Sequence, residues 1–525
     1  MASKPLPACI SRRRRKSIAC LSGNGRGQGA SVPGAADHLP VARLPERLAE
    51  DYVFVALCVV ACLSYAAKDE ARCERVHRTG GPFGTSETEQ NMTILGQRGM
   101  KGRLAKIGAR IRKSPITRVG PGLITGVADD DPSGIATYSH AGATFGLDML
   151  WTMPLAFPLM AAIQLVCARI GRVTGRGLAA NIKTAFPAPV LLVVTGLLLL
   201  ANTLNIAADI AAMGDVTSLV TGLNKQLAAI FWVIVTLVLQ VFVPYHRYVY
   251  FLKWLTLSLL SYFIVAMIVH VPWHDVAMRT IWPHVTWDGR TAEMVLGVFG
   301  TTISPYLFFW QASEEVEDLR IHHAEPLLTD DMGAAGELRR ISWDTWSGMF
   351  YSDVTAYFII LATAVTLHAH GVTRIETAAQ AADALRPLAG DFAYYLFAVG
   401  IWGVGLIGVP VLAGSAAYGF SEAMNWQWGL ERKATDARGF YGVIIVSVLA
   451  ALVIQFSPLS PMKALFWCAV LNGVVAAPLM AVLLLLGGRR LTLGKFVVNK
   501  TILALGWIAT FVMAVSTVEM VLGWF

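Results

Sequence analysis

The sequence predicts an all-α protein that crosses a membrane many times. Of its 525 residues, 55% are hydrophobic and only 15% are charged, and the mean hydropathy is +0.55. A soluble domain carries about 25% charged residues, so the composition argues against a soluble fold. After residue 120 the chain contains eleven apolar segments, most of them long enough to cross a bilayer. The first and the sixth are interrupted by proline and small polar residues.

These segments set the expected domain organisation. Their ranges are 121–146, 147–170, 187–213, 226–245, 249–271, 291–313, 343–369, 390–422, 439–458, 464–487 and 501–524. We expect residues 115–525 to form one eleven-helix domain, with a first repeat over about 121–271, a second over about 291–487, and an eleventh helix at 501–524. Residues 1–114 form a basic extension, which we expect to be largely disordered or to follow from a start codon placed too far upstream.

Charge predicts the orientation and the class of partner. The formal net charge is +8, and the basic excess lies before residue 120, which favours acidic lipid headgroups over nucleic acid as its partner. With the N-terminus inside, sixteen Lys and Arg residues near the segment ends fall on the cytoplasmic side and six on the other. This follows the positive-inside rule. We expect a multi-pass protein of the plasma (cytoplasmic) membrane that works as a monomeric unit.

The first segment carries three consecutive aspartates at its centre, where residues 128–134 read ADDDPSG. A carboxylate at membrane depth costs about 3 kcal/mol or more unless it faces water or a cation. Pro132 lacks an N–H and the following Ser-Gly pair permits an open backbone, which survives at this depth only where it lines a cavity. The pattern predicts a cation site with Asp131 as its first ligand and Ala128 as a carbonyl donor.

The sixth segment repeats this irregularity, since residues 297–307 read GVFGTTISPYL. The two breaks are five segments apart, so they enter the membrane from opposite sides. Paired breaks in inverted halves are typical of the substrate site of secondary transporters; two unrelated proline kinks are the alternative. Thr301 and Ser304, which precede Pro305, are predicted to offer a carbonyl and a hydroxyl oxygen.

Further polar residues lie within the spans. Asp129 and Asp130 are candidates for lining the vestibule or for internal hydrogen bonds. The third segment carries Asn202, Asn205 and Asp209, and Asp209 is a candidate for a proton relay or a structural partner. Asn472 offers either an ion ligand or a helix–helix hydrogen bond. Donors at both breaks are oxygens, which suit Mg²⁺, Ca²⁺ or Mn²⁺. We expect no resident cofactor, because the metal ion would be the cargo.

Residues 115–525 resemble the Nramp family of divalent-metal transporters, which has a LeuT-like inverted-repeat fold. The family's Asp-Pro-Gly-Asn signature corresponds to DPSG at 131–134, its Met-Pro-His to SPY at 304–306, and its Asp-Leu-Ala-Glu to DIAA at 209–212. The resemblance implies a polytopic all-α fold, a 5+5 inverted repeat plus an eleventh helix, with discontinuous helices 1 and 6. The implied metal site and its surroundings comprise Asp131, Ala128, Gly134, Thr301, Ser304 and Asn472, the breaks at Pro132 and Pro305, and Tyr306 as a vestibule or relay candidate.

Departures from the family pattern favour magnesium. The family's Met thioether, which implies selection of Mn²⁺ and Fe²⁺, is replaced by Ser304, and its Asn ligand by Gly134. A wider, oxygen-lined site suits Mg²⁺, which keeps several of its waters when bound. The pattern resembles the Nramp-related magnesium-transporter branch. The family's His falls on Tyr306 and its Glu on Ala212, and both losses argue against proton coupling.

Three functions are compatible with the sequence. The first is a divalent-cation transporter that favours Mg²⁺ and works by alternating access, and the second is a proton-coupled Mn²⁺ or Fe²⁺ importer. The third is a sodium-coupled amino-acid transporter of the same fold, whose carboxylate substrate the three aspartates would repel. An intramembrane metalloprotease is disfavoured because the chain lacks a His-Glu-x-x-His motif. We therefore expect a transporter rather than an enzyme.

Overall fold

The computed structural model describes residues 121–243, 252, 256–284, 286, 288–456 and 460–523. Its α-helices, in chain order, are α1 Pro121–Asp129, α2 Pro132–Phe145, α3 Thr152–Thr174, α4 Leu178–Ala185, α5 Ala188–Thr221, α6 Lys225–Phe242, α7 Leu260–Ile268, α8 Trp273–Ile281, α9 Gly289–Thr302, α10 Pro305–Ile321, α11 Ala334–Thr366, α12 Ala378–Asp383, α13 Arg386–Ala389, α14 Ala393–Ala423, α15 Arg438–Ile454, α16 Pro461–Gly487, α17 Arg490–Leu493 and α18 Lys500–Leu522. Short 3₁₀ helices lie at Gly146–Met149, Thr256–Leu259, His368–His370, Gly390–Phe392 and Gly494–Phe496. The predicted extension at 1–114 and the start of the fifth predicted segment lie outside the described residues.

Each of the eleven predicted segments contains helix in the described part of the chain. Eight helical stretches, with α9 and α10 counted together, are long and apolar enough to cross a membrane by length and composition. Of the other three segments, the first is divided into α1 and α2, the fifth is described only in part as α7, and the ninth is the 17-residue α15. The chain is therefore an all-α polytopic membrane protein, as predicted.

Both predicted interruptions are present. α1 ends at Asp129 and α2 begins at Pro132, and Asp131 between them has an extended backbone with φ −70° and ψ 172°. α9 ends at Thr302 and α10 begins at Pro305. Proline fits the first turn of a helix, because an N–H at that position would have no helical partner. Each proline therefore starts a new helix rather than kinking a continuous one.

α1 packs closely along α11. The backbone N–H of Gly122 donates to Oδ2 of Asp344 at 2.7 Å, and a methyl group on Gly126 would lie only 2.2 Å from the carbonyl oxygen of Gly348. The contacts advance by four residues on both helices, so the two helices run parallel. Four residues further along both helices, the acidic end of α1 meets Ser352 of α11.

α16 makes a similar backbone contact with α9. A methyl group on Gly300 would lie 2.1 Å from the carbonyl oxygen of Ala469, and one on Gly473 would lie 2.7 Å from the carbonyl oxygen of Leu296. Only glycine permits helices to approach this closely at those positions. The contact brings Asn472, which precedes Gly473, to the end of α9 where the second break begins.

Candidate metal site

Asp131 forms hydrogen bonds on both of its carboxylate oxygens. Its side chain lies at 1% exposure. Oδ1 accepts from the backbone N–H of Gly134 at 2.8 Å and from the Ser133 hydroxyl at 2.6 Å. The bond from Gly134 makes Asp131 the N-cap of α2. Oδ2 accepts from Asn205 Nδ2 at 3.1 Å and from the Tyr306 hydroxyl at 3.2 Å. Such bonds stabilise an ionised carboxylate in a buried position.

Tyr306 joins the two broken segments. Its hydroxyl lies 3.2 Å from the carbonyl oxygen of Ala128 and 3.2 Å from Oδ2 of Asp131, so it can donate its hydrogen to either. Ala128 belongs to the last turn of α1, where carbonyls have no helical partner. The Tyr306 hydroxyl of α10 therefore contacts two predicted oxygen ligands, those of Ala128 and Asp131. The sequence did not predict this contact between the first and the sixth segments.

The second break contacts the first at Gly134. A methyl group on Gly134 would lie 3.2 Å from Oγ1 of Thr301, and this hydroxyl is buried without a hydrogen-bond partner among the described residues. The Ser304 hydroxyl lies 2.7 Å from the carbonyl oxygens of Gly300 and Thr301 and turns back onto its own helix. Thr301 thus offers a hydroxyl without a partner among the described residues, and its carbonyl oxygen, the predicted ligand, accepts from Ser304; ligation by the carbonyl stays a prediction.

Two predicted residues present polar atoms that lack partners in the described chain. Asn472 is 1% exposed and its Nδ2 makes no hydrogen bond. Asp209 is fully buried, and neither of its carboxylate oxygens makes one. An unsatisfied buried polar group costs about 1–3 kcal/mol, and more if charged. Both side chains are therefore positions where water or a ligand would be stabilising.

Asp129 and Asp130 face α11 rather than a vestibule in this conformation. The Ser352 hydroxyl lies 2.5 Å from Oδ2 of Asp129 and 3.1 Å from Oδ1 of Asp130. Both aspartates are buried, and the second oxygen of each is unpartnered among the described residues. Ser352 is a polar contact that the sequence reading missed, because one serine in an apolar segment has no distinguishing spacing.

A cavity of about 390 Å³ opens at the C-terminal end of α2. Its polar lining includes His140, Thr144, Glu293, Glu376, Arg374 and Lys463. A smaller cavity shares Ala136 and Met462 with it and reaches Pro132, the neighbour of Asp131. The two cavities thus follow α2 from its C-terminal end to Pro132, and neither of them is lined by Asp129 or Asp130.

The donor set is dominated by oxygen. Within the described ranges no three His, Cys, Asp or Glu side chains converge on a point that could hold a metal ion. The break instead offers the Asp131 carboxylate, the Ala128 carbonyl and the Thr301 hydroxyl. A few oxygen ligands suit a hard cation that keeps part of its hydration shell.

Comparison with known proteins identifies a family and several named relatives. The family model described as "Natural resistance-associated macrophage protein-like" matches residues 122–523. "Divalent metal cation transporter MntH" of Yersinia pestis (strain Pestoides F) is 26% identical over 427 residues, covering 78% of this chain and 95% of that protein. The protein of the same name from Klebsiella pneumoniae (strain 342) is 24% identical over 412 residues, covering 76% and 92%.

A solved structure shows the same fold. The crystal structure of the Eremococcus coleocola manganese transporter superposes with a TM-score of 0.60 at 17% sequence identity, covering 78% of this chain and 87% of that one. The predicted fold class, a LeuT-like 5+5 inverted repeat with an eleventh helix and discontinuous helices 1 and 6, is thereby confirmed.

Proposed function

Because the chain belongs to the natural resistance-associated macrophage protein-like family, we propose that it transports divalent metal cations across a membrane. The single observation that carries the proposal is the buried carboxylate of Asp131 at the break between α1 and α2, linked through Tyr306 to the carbonyl of Ala128. Carboxylates and freed backbone oxygens are the ligands that hard divalent cations prefer. The names of the bacterial relatives support this substrate class.

Magnesium is the proposed favoured cargo, ahead of Mn²⁺ and Fe²⁺. Position 304 carries a serine and position 134 a glycine, so neither break supplies a sulfur atom. A soft thioether ligand favours transition metals, and without it the chemistry of the site is that of hard oxygen donors. Glycine at position 134 also supplies no side-chain ligand, which leaves more of the ion's coordination positions to water, and Mg²⁺ gives up its waters reluctantly.

The proposed mechanism is alternating access. The ion enters by the cavity at the C-terminal end of α2 and exchanges some waters for oxygens of Asp131 and Ala128, after which the broken helices close on one side and open on the other. With the N-terminus inside, this cavity faces the outside of the plasma membrane. A membrane potential of 100 mV then supplies about 4.6 kcal/mol for a divalent ion, which is sufficient to drive influx without protons. One chain, through residues 115–525, is the proposed transport unit.

A proton-coupled Mn²⁺ or Fe²⁺ importer is the second candidate. The carboxylate of Asp209, which is buried and has no partner among the described residues, favours it, because such a group can carry a proton. An amino-acid transporter lacks comparable support. Its substrate carboxylate would need the free N-terminus of a broken helix, but at α2 the N–H of Gly134 is already bonded to Asp131.

Uptake into proteoliposomes tests these proposals. The purified full-length protein is reconstituted with a fluorescent divalent-cation indicator or a pH indicator inside, and Mg²⁺, Mn²⁺ and Ca²⁺ are supplied singly and in competition. We expect saturable Mg²⁺ influx, competition by Mn²⁺ and no metal-dependent internal acidification. Absence of divalent uptake would overturn the proposed function, whereas Mn²⁺ uptake that acidifies the lumen would favour the second candidate.

A further inference from the structure

We propose that Asp209 is a second carboxylate of the cation site, which accepts hydrogen bonds from waters of the bound ion and discriminates divalent from monovalent cations. The inference rests on the proposed function, since the ion is the transported one. It assigns Asp209 a role in holding the cargo, whereas the sequence offered a proton relay or a structural partner.

Asp209 continues a polar stripe on α5 that leads to Asp131. Asn202, Asn205 and Asp209 are spaced by three and four residues, which places them on one face of the helix. Asn202 Nδ2 donates to the carbonyl oxygen of Leu412 on α14 at 2.8 Å, and Asn205 Nδ2 donates to Oδ2 of Asp131 at 3.1 Å. One turn beyond Asn205, Asp209 therefore lies on the face of α5 that already contacts the candidate site.

Gly408 of α14 shows how near the two carboxylates are. A methyl group on Gly408 would lie 3.1 Å from Cβ of Asp131 and 3.7 Å from Oδ2 of Asp209. Both aspartates thus border the same glycine, which presents no side chain to shield one from the other. Two ionised carboxylates so placed repel each other strongly in a low-dielectric interior, and a cation beside them removes that repulsion.

The two carboxylates differ in their hydrogen bonds, and the difference favours a ligand beside Asp209. Asp131 receives bonds on both oxygens, whereas both oxygens of the fully buried Asp209 lack partners in the described chain. The next acidic residue on α5, Asp215, forms an ion pair with Lys225. A buried carboxylate without a donor or an ion pair is strongly destabilising, and a hydrated cation supplies both a charge and O–H donors.

The chemistry of a hydrated divalent ion fits this arrangement. Mg²⁺ binds through one or two carboxylates and keeps several waters, and a carboxylate beyond the direct ligands orients such waters. One divalent ion balances the charges of Asp131 and Asp209, the two carboxylates that border Gly408. A monovalent ion leaves one negative charge unbalanced at membrane depth, which is costly. Asp209 would therefore act as a specificity-determining residue.

Two variants with matched controls test the role of Asp209. Asp209→Asn removes the charge with little change in shape, and Gly408→Ala places a methyl group against Cβ of Asp131 and near Oδ2 of Asp209. The controls are Glu519→Gln, which removes an exposed acidic side chain of α18, and Gly400→Ala on the same helix as Gly408, where the nearest side-chain atom would be Ser258 Oγ at 3.2 Å. Each protein is reconstituted, and Mg²⁺ uptake is measured for KM and Vmax, with competition by Na⁺ and Li⁺.

We expect Asp209→Asn to raise KM for Mg²⁺ about 10- to 100-fold, the usual effect of losing an outer-sphere partner of a bound metal. Gly408→Ala should raise it in the same direction, and monovalent cations should compete better in both variants. The controls should stay within about twofold of the wild type. A purely structural role would lower the amount of folded protein and Vmax without moving KM or the competition by monovalent ions.

The outcomes separate this inference from the proposed function. Suppose that the wild type takes up Mg²⁺ and that Asp131→Asn does not. An unchanged KM for Mg²⁺ in Asp209→Asn would then overturn the proposed role of Asp209 and leave the proposed transport function intact. Unchanged KM together with loss of a metal-dependent internal pH change would identify a proton relay and also overturn the inference. If Asp209→Asn does not fold, an unchanged KM in Gly408→Ala is the overturning result.

Discussion

Replacing Asp131 by asparagine removes a negative charge from the site and preserves most of its shape. The amide oxygen can still accept from Gly134 N–H and the Ser133 hydroxyl, which lie 2.8 and 2.6 Å from Oδ1, so the N-cap of α2 is retained. The new amino group would face the Tyr306 hydroxyl, which can accept a hydrogen bond. It would also face Asn205, whose Oδ1 has no partner among the described residues and can turn toward it.

The expected effects on stability and on binding therefore differ in size. Hydrogen bonds to a charged group contribute about 1.5–3 kcal/mol and neutral ones about 1 kcal/mol. All four hydrogen bonds to Asp131 lose their charge assistance, but removal of a buried charge offsets most of that loss, so the free energy of unfolding should fall by about 2 kcal/mol at most. Removing the ionised partner of a buried charge costs about 3–5 kcal/mol. At 1.4 kcal/mol per factor of ten, cation affinity should fall by about two to three and a half orders of magnitude.

The assay is initial Mg²⁺ influx into proteoliposomes at equal protein density, with thermal unfolding in detergent as the check on folding. Glu519→Gln is the control, because Glu519 is also an acidic residue of a membrane-spanning helix, α18, but its side chain is exposed. The wild type and this control should transport, and Asp131→Asn should be inactive at the same Mg²⁺ concentration. A correctly folded Asp131→Asn protein with influx within about threefold of the wild type would refute the assignment.

Three further changes give distinct expectations. Ser304→Met adds a soft ligand, so the Mn²⁺/Mg²⁺ preference in competition uptake should rise by about tenfold; an unchanged ratio would contradict a selectivity role for this position. Gly126→Ala places a methyl group 2.2 Å from the Gly348 carbonyl oxygen, and this overpacking should destabilise the protein by about 1–3 kcal/mol. An unchanged midpoint of thermal unfolding would show that α1 does not pack on α11 as described. Ser352→Ala removes the hydroxyl 2.5 Å from Asp129 and should destabilise by about 1.5–3 kcal/mol; equal stability would mean that Ser352 is not the donor to this carboxylate.

The positions of the helix breaks could be predicted from sequence because their cause is local. Proline removes a backbone donor and fixes φ, and at the first break the Asp131 side chain also caps the helix that begins at Pro132. Proline alone does not end a helix here, since Pro158, Pro410 and Pro478 lie within α3, α14 and α16. The structure narrows each interruption to two residues, Asp130 with Asp131 and Ile303 with Ser304. Hydrophobic length likewise located the spans, since crossing a bilayer requires a long apolar run.

The contacts that assemble the site could not be predicted in the same way. Tyr306 reaching Ala128 depends on how α10 lies against α1, and the periodicity of a helix shows which residues share a face but not what that face contacts. Gly408 lies in an apolar run that contains several other glycines. Its importance comes only from Asp131 and Asp209, which are distant in sequence and meet beside it.

The most direct test of the central claim is the anomalous difference density of Mn²⁺ in crystals of the wild-type protein and of Asp131→Asn. We predict one peak in the wild type at about 2–2.6 Å from Oδ2 of Asp131 and on the side of the Ala128 carbonyl, and no peak there in the variant. A strong peak elsewhere in the membrane-spanning region, with the break between α1 and α2 empty, would contradict the assignment. A peak of equal height in Asp131→Asn would contradict it as well.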